Sequence, residues 1–240
     1  MDNTSSKASQ FLVDQIILRN RIHLLGGISS SGKTRFAVPA LNDWSMGIPF
    51  LGEESYPVPW GIVACDRPLR DVHDSLESMG LPKDCVPIVP AFGKHSIPKF
   101  KIMESIRDRG LHLVFWEGFD MMVRRPNDPY EVKEFLSEVS GYCDDYDLTV
   151  LGSVGVPKMK PNETYENPRQ LIGGSTIWER ATSTNLIIAP ETPDIDNPGR
   201  LIYVCLKNAP SFVMGGKFLE HGILTFKQSR FGMFAKPARR

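Results

Sequence analysis

The feature that most constrains this chain is a glycine-rich segment, GISSSGKT, at residues 27–34. The segment matches the pattern GxxxxGK[ST] in full, and an apolar run at residues 21–26 precedes it. The residues that follow predict a helix that begins near Lys33. A glycine-rich loop between a strand and a helix is typical of phosphate-binding α/β proteins, so the segment predicts a phosphate-binding loop.

The rest of the chain alternates short apolar runs with longer helical patterns. Strands are predicted over residues 61–65, 86–89, 111–116 and 148–153, and helices over residues 69–79, 99–109 and 130–142. This alternation favours a largely parallel sheet covered by helices. Three later apolar runs are separated by turn residues, and we predict them to be antiparallel strands at one edge of the sheet: residues 185–189, 201–206 and 223–226.

The chain divides into three parts. A polar arm and a short amphipathic helix over residues 8–20 are predicted to form an N-terminal region of residues 1–20. Residues 21–228 form the predicted α/β domain, with no separate accessory domain. Residues 229–240 form a basic tail.

Composition excludes several classes of protein. Apolar residues make up 41% of the 240 residues, which excludes a wholly disordered chain. Lys plus Arg and Asp plus Glu both number 28, so a contact with nucleic acid must be local and cannot depend on net charge. The 4 cysteines form no CxxC pair, which predicts neither a zinc site nor a disulfide framework and fits a cytoplasmic location. The apolar runs are too short to cross a bilayer, and we expect no membrane contact.

The residue types of the loop fit the chemistry of nucleotide phosphates. Its glycines allow backbone N–H groups to turn inward around a β-phosphate, and the start of the following helix adds partial positive charge. Lys33 is expected to reach the β- and γ-phosphates, and the hydroxyl of Thr34 to bind Mg²⁺. The predicted ATP-binding residues are Gly27, Ser29, Ser30, Ser31, Gly32, Lys33, Thr34 and Arg35.

A second ligand for Mg²⁺ is expected at the end of another apolar strand. Residues 111–116 predict such a strand, and Glu117 follows it, so we assign Glu117 as the acidic magnesium ligand. Asp120 is a nearby alternative. The alternative interpretation is that Glu117 is a surface carboxylate at the end of a strand and binds no metal ion.

Together, these features resemble the RecA-like hexameric ATPases. The resemblance rests on the phosphate-binding loop, a second strand followed by Asp66, Arg67 and Pro68, the strand before Glu117, and the final predicted hairpins. The RepA and DnaB helicases and the RadA recombinases are the most similar members. The resemblance covers residues 20–228 and is sharp only at the loop.

The resemblance implies further roles. Asp66 matches the acid, usually Glu, that orients the attacking water; as a structural alternative, Asp66 caps the helix that begins near Leu69. Ser153 matches the polar residue that contacts the γ-phosphate or the water. Lys207 matches a cation that reaches the nucleotide of the neighbouring subunit, although a solvated lysine at a strand end explains it equally well.

A long polar segment follows Ser153 and matches the loop that faces the central channel of RecA-like rings. Its cationic and aromatic residues are the predicted contacts to single-stranded DNA: Lys158, Lys160, Tyr165 and Arg169. Glu163 and Glu166 reduce the net positive charge of this segment, so the alternative to DNA binding is a loop that is simply exposed to solvent.

The motif and the resemblance together imply a RecA-like P-loop core that hydrolyses ATP with Mg²⁺, assembles into a hexameric ring or a filament, and acts on single-stranded DNA as a replicative helicase. A recombination or strand-annealing protein that uses ATP as an assembly switch is the first alternative. A small-molecule or nucleotide kinase is the second. The Asn-Lys-x-Asp tetrad that recognises guanine does not occur, which argues against a GTPase.

Overall fold

The strand that leads into the glycine-rich loop lies inside a nine-stranded sheet. The computed structural model describes residues 10–29, 31–50, 52–92, 98–155, 172–190, 200–206, 212–218 and 224–228, with side chains described as far as residue 188. The strands are β1 (Phe11–Val13), β2 (Ile17–Leu18), β3 (Ile22–Gly27), β4 (Trp60–Ala64), β5 (Ile88–Pro90), β6 (Leu113–Glu117), β7 (Thr149–Ser153), β8 (Thr184–Pro190), β9 (Arg200–Leu206), β10 (Phe212–Phe218) and β11 (Leu224–Gln228).

The order of strands in the sheet is β11-β10-β9-β8-β3-β7-β6-β4-β5. The six strands from β8 to β5 are parallel, and β9, β10 and β11 continue the sheet antiparallel. Parallel neighbours place their carboxyl ends at one edge, where ligands of open α/β sheets bind. The prediction of a mainly parallel α/β sheet with antiparallel strands at one edge is therefore confirmed.

Helices cover both faces of the sheet. They are α1 (Lys33–Ser45), α2 (Leu69–Ser78), α3 (Lys99–Asp108), α4 (Pro129–Asp145) and α5 (Ile177–Ala181), with a 3-10 turn at Phe119–Met122. Asp128 caps α4, since its carboxylate accepts hydrogen bonds from the N–H groups of Tyr130 and Glu131. None of the helices in the described part of the chain has the length and apolar character to cross a membrane.

Alternation along β6 shows how the sheet separates two hydrophobic cores. Leu113 and Phe115 face the core under α1 and α2, while Val114 and Trp116 face the core under α3, α4 and α5. All four side chains are fully buried. A strand buried on both faces is what a parallel sheet between two helical layers requires.

The predicted helix over residues 8–20 is wrong for residues 11–18, which form the antiparallel hairpin β1–β2. Phe11 pairs with Leu18 and Val13 with Ile17, and Gln15 takes a positive φ of 58° in the turn. The buried apolar residues of this segment come as two adjacent pairs, at positions 12–13 and 16–17, and these four lie in the core under α1. This pattern resembles helical spacing, but its β-branched residues and turn favour a hairpin.

Two details of the C-terminal strands also differ from expectation. We predicted that residues 185–189 form an antiparallel strand, but β8 is parallel to β3 and antiparallel only to β9. The connection from β7, which ends with α5, is long enough to return the chain for a parallel crossover. The strand β10 was not predicted, because Gly215 and Gly216 in its centre are typical of a turn.

Candidate functional site

The glycine loop (residues 27–34) joins β3 to α1, as predicted. Gly32 precedes α1 with φ 91° and ψ 22°, a left-handed conformation that glycine adopts without steric cost. A Cβ atom at Gly27 would lie 2.7 Å from both the backbone oxygen of Ile188 and Oγ of Ser31. Glycine is therefore required at both positions for the loop to keep this path.

Lys33 extends back into the glycine loop. Its Nζ donates hydrogen bonds to the carbonyl oxygens of Gly27 at 2.9 Å and Ile28 at 3.1 Å. Burial lowers the pKa of Lys33, while the carboxylates of Asp120 and Asp66 oppose that effect. A cation held among neutral carbonyl groups, with little water around it, is well placed to bind an anion.

Glu117 lies at the carboxyl end of β6, and its side chain is only 3% exposed. The structure therefore excludes the interpretation of Glu117 as a surface carboxylate. The hydroxyl of Thr34 donates a hydrogen bond to Oε1 of Glu117 at 2.5 Å, which connects the start of α1 to the end of β6. Arg67 donates from Nε to Oε2 and from Nη2 to Oε1, both at 2.8 Å. The buried carboxylate is thus held by a hydroxyl and by a bidentate guanidinium.

Asp66 follows β4 and lies beside Glu117. The register of the neighbouring strands pairs Ala64 with Glu117, and a Cβ atom at Gly118 would lie 2.9 Å from Cβ of Asp66. Burial of its carboxyl group, and secondarily the Glu117 carboxylate, raise the pKa of Asp66 to about 6, although the residue as a whole is exposed. Asp66 does not cap α2, because the capping position is Pro68 and no side chain hydrogen-bonds there.

A cavity of about 560 Å³ opens in front of these groups. Its lining residues are Ser29, Gly32, Lys33, Thr34, Arg35, Asp66, Arg67 and Ser75. Three of them are cations and one is an acid, so the lining favours a polyanionic ligand. Five of the predicted ATP-binding residues line this cavity, whereas Ser31 is buried beside Gly27.

Ser153 and Asp120 are not among the residues that line the cavity. The buried Oγ of Ser153 accepts a hydrogen bond from the N–H of Gly118 at 2.9 Å. Oδ2 of Asp120 accepts one from the N–H of Gly155, also at 2.9 Å. Burial raises the pKa of Asp120, and hydrogen bonds from backbone N–H groups and the charge of Lys33 oppose that shift. Ser153 therefore holds the backbone of Gly118, directly after Glu117, and Asp120 holds the backbone of Gly155.

Sequence analysis missed Arg67 and Ser75. Ser75 belongs to α2 and gave no signal in the sequence. Arg67 did offer one, because it directly follows Asp66 after a predicted strand, but an arginine in a turn is usually solvated. Its ion pair with Glu117 joins residues that are 50 positions apart, and only the pairing of β4 with β6 reveals it.

Several predicted residues cannot be placed. Six lie outside the residues that the structure describes: Ser30, Lys158, Lys160, Tyr165, Arg169 and Lys207. The proposed DNA contacts and the proposed contact with a neighbouring subunit therefore remain predictions.

Comparison of the whole sequence with protein-family models and with curated proteins finds no match.

Proposed function

We propose that this chain is a Mg²⁺-dependent ATPase of the RecA-like type, which works as a ring or filament on single-stranded DNA and serves as a replicative helicase. The observation that carries the ATPase proposal is the hydrogen bond between Thr34 and Glu117 beside the Lys33 side chain. It unites a hydroxyl and a carboxylate at the carboxyl edge of a parallel sheet, next to a cavity with a cationic lining. That combination suits a nucleotide phosphate chain and its metal ion.

The side chains present fit Mg²⁺. Thr34 and Glu117 offer the oxygen ligands that Mg²⁺ prefers, and the ion completes its coordination with phosphate oxygens and water. In the described residues, no group of three or more His, Cys, Asp or Glu side chains could hold a metal ion alone. A magnesium ion would therefore bind weakly on its own and more tightly together with the nucleotide, and when bound it would neutralise charge on the phosphate oxygens.

The chain's own residues account for the remaining chemistry. Backbone N–H groups of the glycine loop and Lys33 hold the phosphates. Asp66 orients a water molecule whose oxygen bonds to the terminal phosphorus, while the bond from that phosphorus to the bridging oxygen breaks. ADP leaves with the electron pair of the broken bond. The proton of the water passes through Asp66 to solvent, so charge and atoms balance.

The DNA and assembly parts of the proposal rest on sequence. The polar segment from Lys158 to Arg169 supplies cations for backbone phosphates and Tyr165 for stacking on a base. Asp120 accepts its hydrogen bond from Gly155, three residues before this segment in the sequence, and its carboxylate also attracts Lys33. This arrangement links the nucleotide site to the part of the chain that leads into the proposed DNA contact.

The experiment measures phosphate release from Mg-ATP with and without single-stranded DNA, in the wild type and in Lys33→Ala. We expect hydrolysis by the wild type, stimulation by DNA, and loss of hydrolysis in Lys33→Ala without loss of the fold. Lys101→Ala, at an exposed lysine in α3, is the matched control and should behave as the wild type. A Lys33→Ala variant that hydrolyses ATP normally would overturn the proposal.

A further inference from the structure

Arg67 both binds the buried carboxylate of Glu117 and lines the cavity of the candidate site. Its guanidinium holds both carboxylate oxygens of Glu117, and the same residue lines the cavity together with Lys33 and Thr34. The Arg67 side chain is 25% exposed, whereas that of Glu117 is 3% exposed. Arg67 therefore has one face on the buried acid and another towards the space where a ligand would bind.

The carboxylate of Glu117 is fully engaged in this structure. Oε1 accepts from Thr34 and from Nη2 of Arg67, and Oε2 accepts from Nε of Arg67. A buried carboxylate needs such a partner, because an unpaired charge in the interior is costly. As long as no divalent cation is bound, Arg67 supplies the positive charge that Glu117 requires.

Binding of a metal-nucleotide changes this balance. A divalent cation shared by Thr34 and Glu117 brings like charge close to the guanidinium, and at short range in a poorly solvated site that repulsion is strong. The phosphate chain offers replacement acceptors in the same cavity, and a planar guanidinium matches phosphate oxygens in a bidentate manner. The exchange thus removes a repulsion and creates a charge-assisted contact.

We infer that Arg67 exchanges Glu117 for the terminal phosphate when a nucleoside triphosphate binds, an inference that rests on the proposed function. Arg67 directly follows Asp66 in the turn between β4 and α2, so the two side chains act on the same phosphate from one turn. Asp66 orients the water and Arg67 neutralises charge on the phosphate oxygens. The cation is supplied within the chain, and Lys207 of a neighbouring subunit is not needed for this role.

The test uses Arg67→Gln, which keeps an amide donor for Glu117 and removes the charge. Arg70→Gln is the matched control, since Arg70 is exposed on α2 and forms a surface ion pair with Asp74 at 3.9 Å. Far-UV circular dichroism and the thermal midpoint establish that each variant is folded. Where Arg67→Gln does not fold, Arg67→Lys replaces it in the second measurement below, since lysine keeps the charge but lacks the bidentate fork that the phosphate contact requires.

The first measurement is binding of Mn²⁺ alone to the nucleotide-free protein, followed by electron paramagnetic resonance. Removal of the Arg67 charge should make Mn²⁺ bind about tenfold more tightly or better, because Glu117 is then freed for the metal. Arg70→Gln should bind Mn²⁺ as the wild type does. Equal affinity in Arg67→Gln and the wild type would contradict the exchange.

The second measurement compares binding of Mg-ADP and of Mg-ADP with aluminium fluoride, which mimics the transferred phosphate, by calorimetry. The wild type should prefer the aluminium fluoride complex. In Arg67→Gln the ratio of the two affinities should fall about ten- to a hundredfold, while Mg-ADP itself binds at least as tightly as it does to the wild type. If the wild type binds neither complex, the proposed function itself fails. If the wild type shows the preference and Arg67→Gln retains it in full, only the exchange by Arg67 is overturned.

Discussion

The carboxylate of Asp120 accepts a 2.9 Å hydrogen bond from the backbone N–H of Gly155, 35 residues further along the chain. The contact ties the 3-10 turn after β6 to the chain that leaves β7. Both segments follow neighbouring parallel strands, so their backbones approach each other at the carboxyl edge of the sheet. This hydrogen bond holds the base of the candidate site together.

Asp120→Ala should lower the free energy of unfolding by about 1 to 3 kcal/mol, because it leaves the Gly155 N–H without its charged acceptor. Asp120→Asn retains an amide oxygen at the same position and should cost less than half of that amount. Urea unfolding of both variants measures the difference. Asp108→Ala, at an exposed acid in a surface ion pair, serves as the control and should change stability by less than about 0.5 kcal/mol. Equal effects at positions 120 and 108 would show that the hydrogen bond contributes nothing.

The pKa of about 6 at Asp66 predicts a pH dependence of hydrolysis. Only the carboxylate form can orient and deprotonate water, so kcat/KM should rise as the pH increases through about 6 and level off above 7. Asp66→Asn should lose about 10²- to 10⁴-fold in kcat while still binding Mg-ADP. Asp74→Asn changes an exposed acid on α2 and should retain the wild-type profile. A pH-independent kcat/KM between pH 5 and 7 would assign the base role elsewhere.

His23 predicts a pH dependence of stability. It is fully buried in β3, its Nε2 lies 2.9 Å from the carbonyl oxygen of Leu18, and its Nδ1 has no hydrogen-bond partner among the described residues. Burial lowers its pKa from 6.5 to about 4. Between pH 6.5 and pH 4, His23 is protonated in the unfolded chain but neutral in the folded one, so acid favours unfolding. The contribution of His23 to stability is therefore complete above pH 6.5 and is lost as the pH falls towards 4.

The measurement is the free energy of unfolding of wild type and His23→Gln at pH 7, 5.5 and 4.5. Other groups titrate in this range in both proteins, and the difference between the two proteins isolates His23. We expect the wild type to lose more stability than the variant on acidification, by an amount on the order of 3 kcal/mol over the whole window. His112→Gln, at an exposed histidine, should leave the profile unchanged. Parallel profiles for wild type and His23→Gln would contradict the prediction.

Gly152 and Gly141 form a matched pair of positions. A Cβ atom at Gly152, inside β7, would lie 2.4 Å from Cδ1 of Phe119, whereas a Cβ atom at Gly141, inside α4, would meet no atom within 4 Å apart from its chain neighbours and its own helix backbone. Gly152→Ala should therefore destabilise the protein by about 1 to 3 kcal/mol, because Phe119 must move within a packed aromatic cluster. Gly141→Ala should stabilise it by about 0.5 to 1 kcal/mol through helix propensity. Thermal unfolding of the two variants checks both signs, and a shift in the same direction for both would refute the explanation.

Local patterns predicted most of the parallel core. Continuous apolar runs predicted β3, β4, β6 and β7, since strands buried on both faces need no polar alternation. The same local patterns could not reveal the direction of β8, because that depends on where the preceding connection returns the chain. They also failed at β1–β2, where adjacent apolar pairs are compatible with helical spacing until the burial of both pairs is known.

Within the candidate site, the sequence predicted the residues that belong to a contiguous motif or follow a strand. Lys33, Thr34, Asp66 and Glu117 are indeed brought together at the carboxyl edge of the sheet. Arg67 was missed because its role depends on a partner from a different strand. Ser153 was placed correctly on its strand, but the direction of its hydroxyl is set by the N–H of Gly118, which no pattern in the sequence indicates.

The position of β3 in the sheet has a consequence for how the chain folds during synthesis. Both neighbours of β3 come from far downstream: β7 begins at Thr149 and β8 at Thr184. Gly27, the first residue of the glycine loop, pairs with Ile188 of β8, so this contact can form only after β8 has been synthesised. Pairings of such long sequence separation form slowly, because a large loop must close before the contact is gained. Until then, the apolar β3 lacks both of its neighbours in the sheet, and an unpaired apolar strand is a site where chains can aggregate.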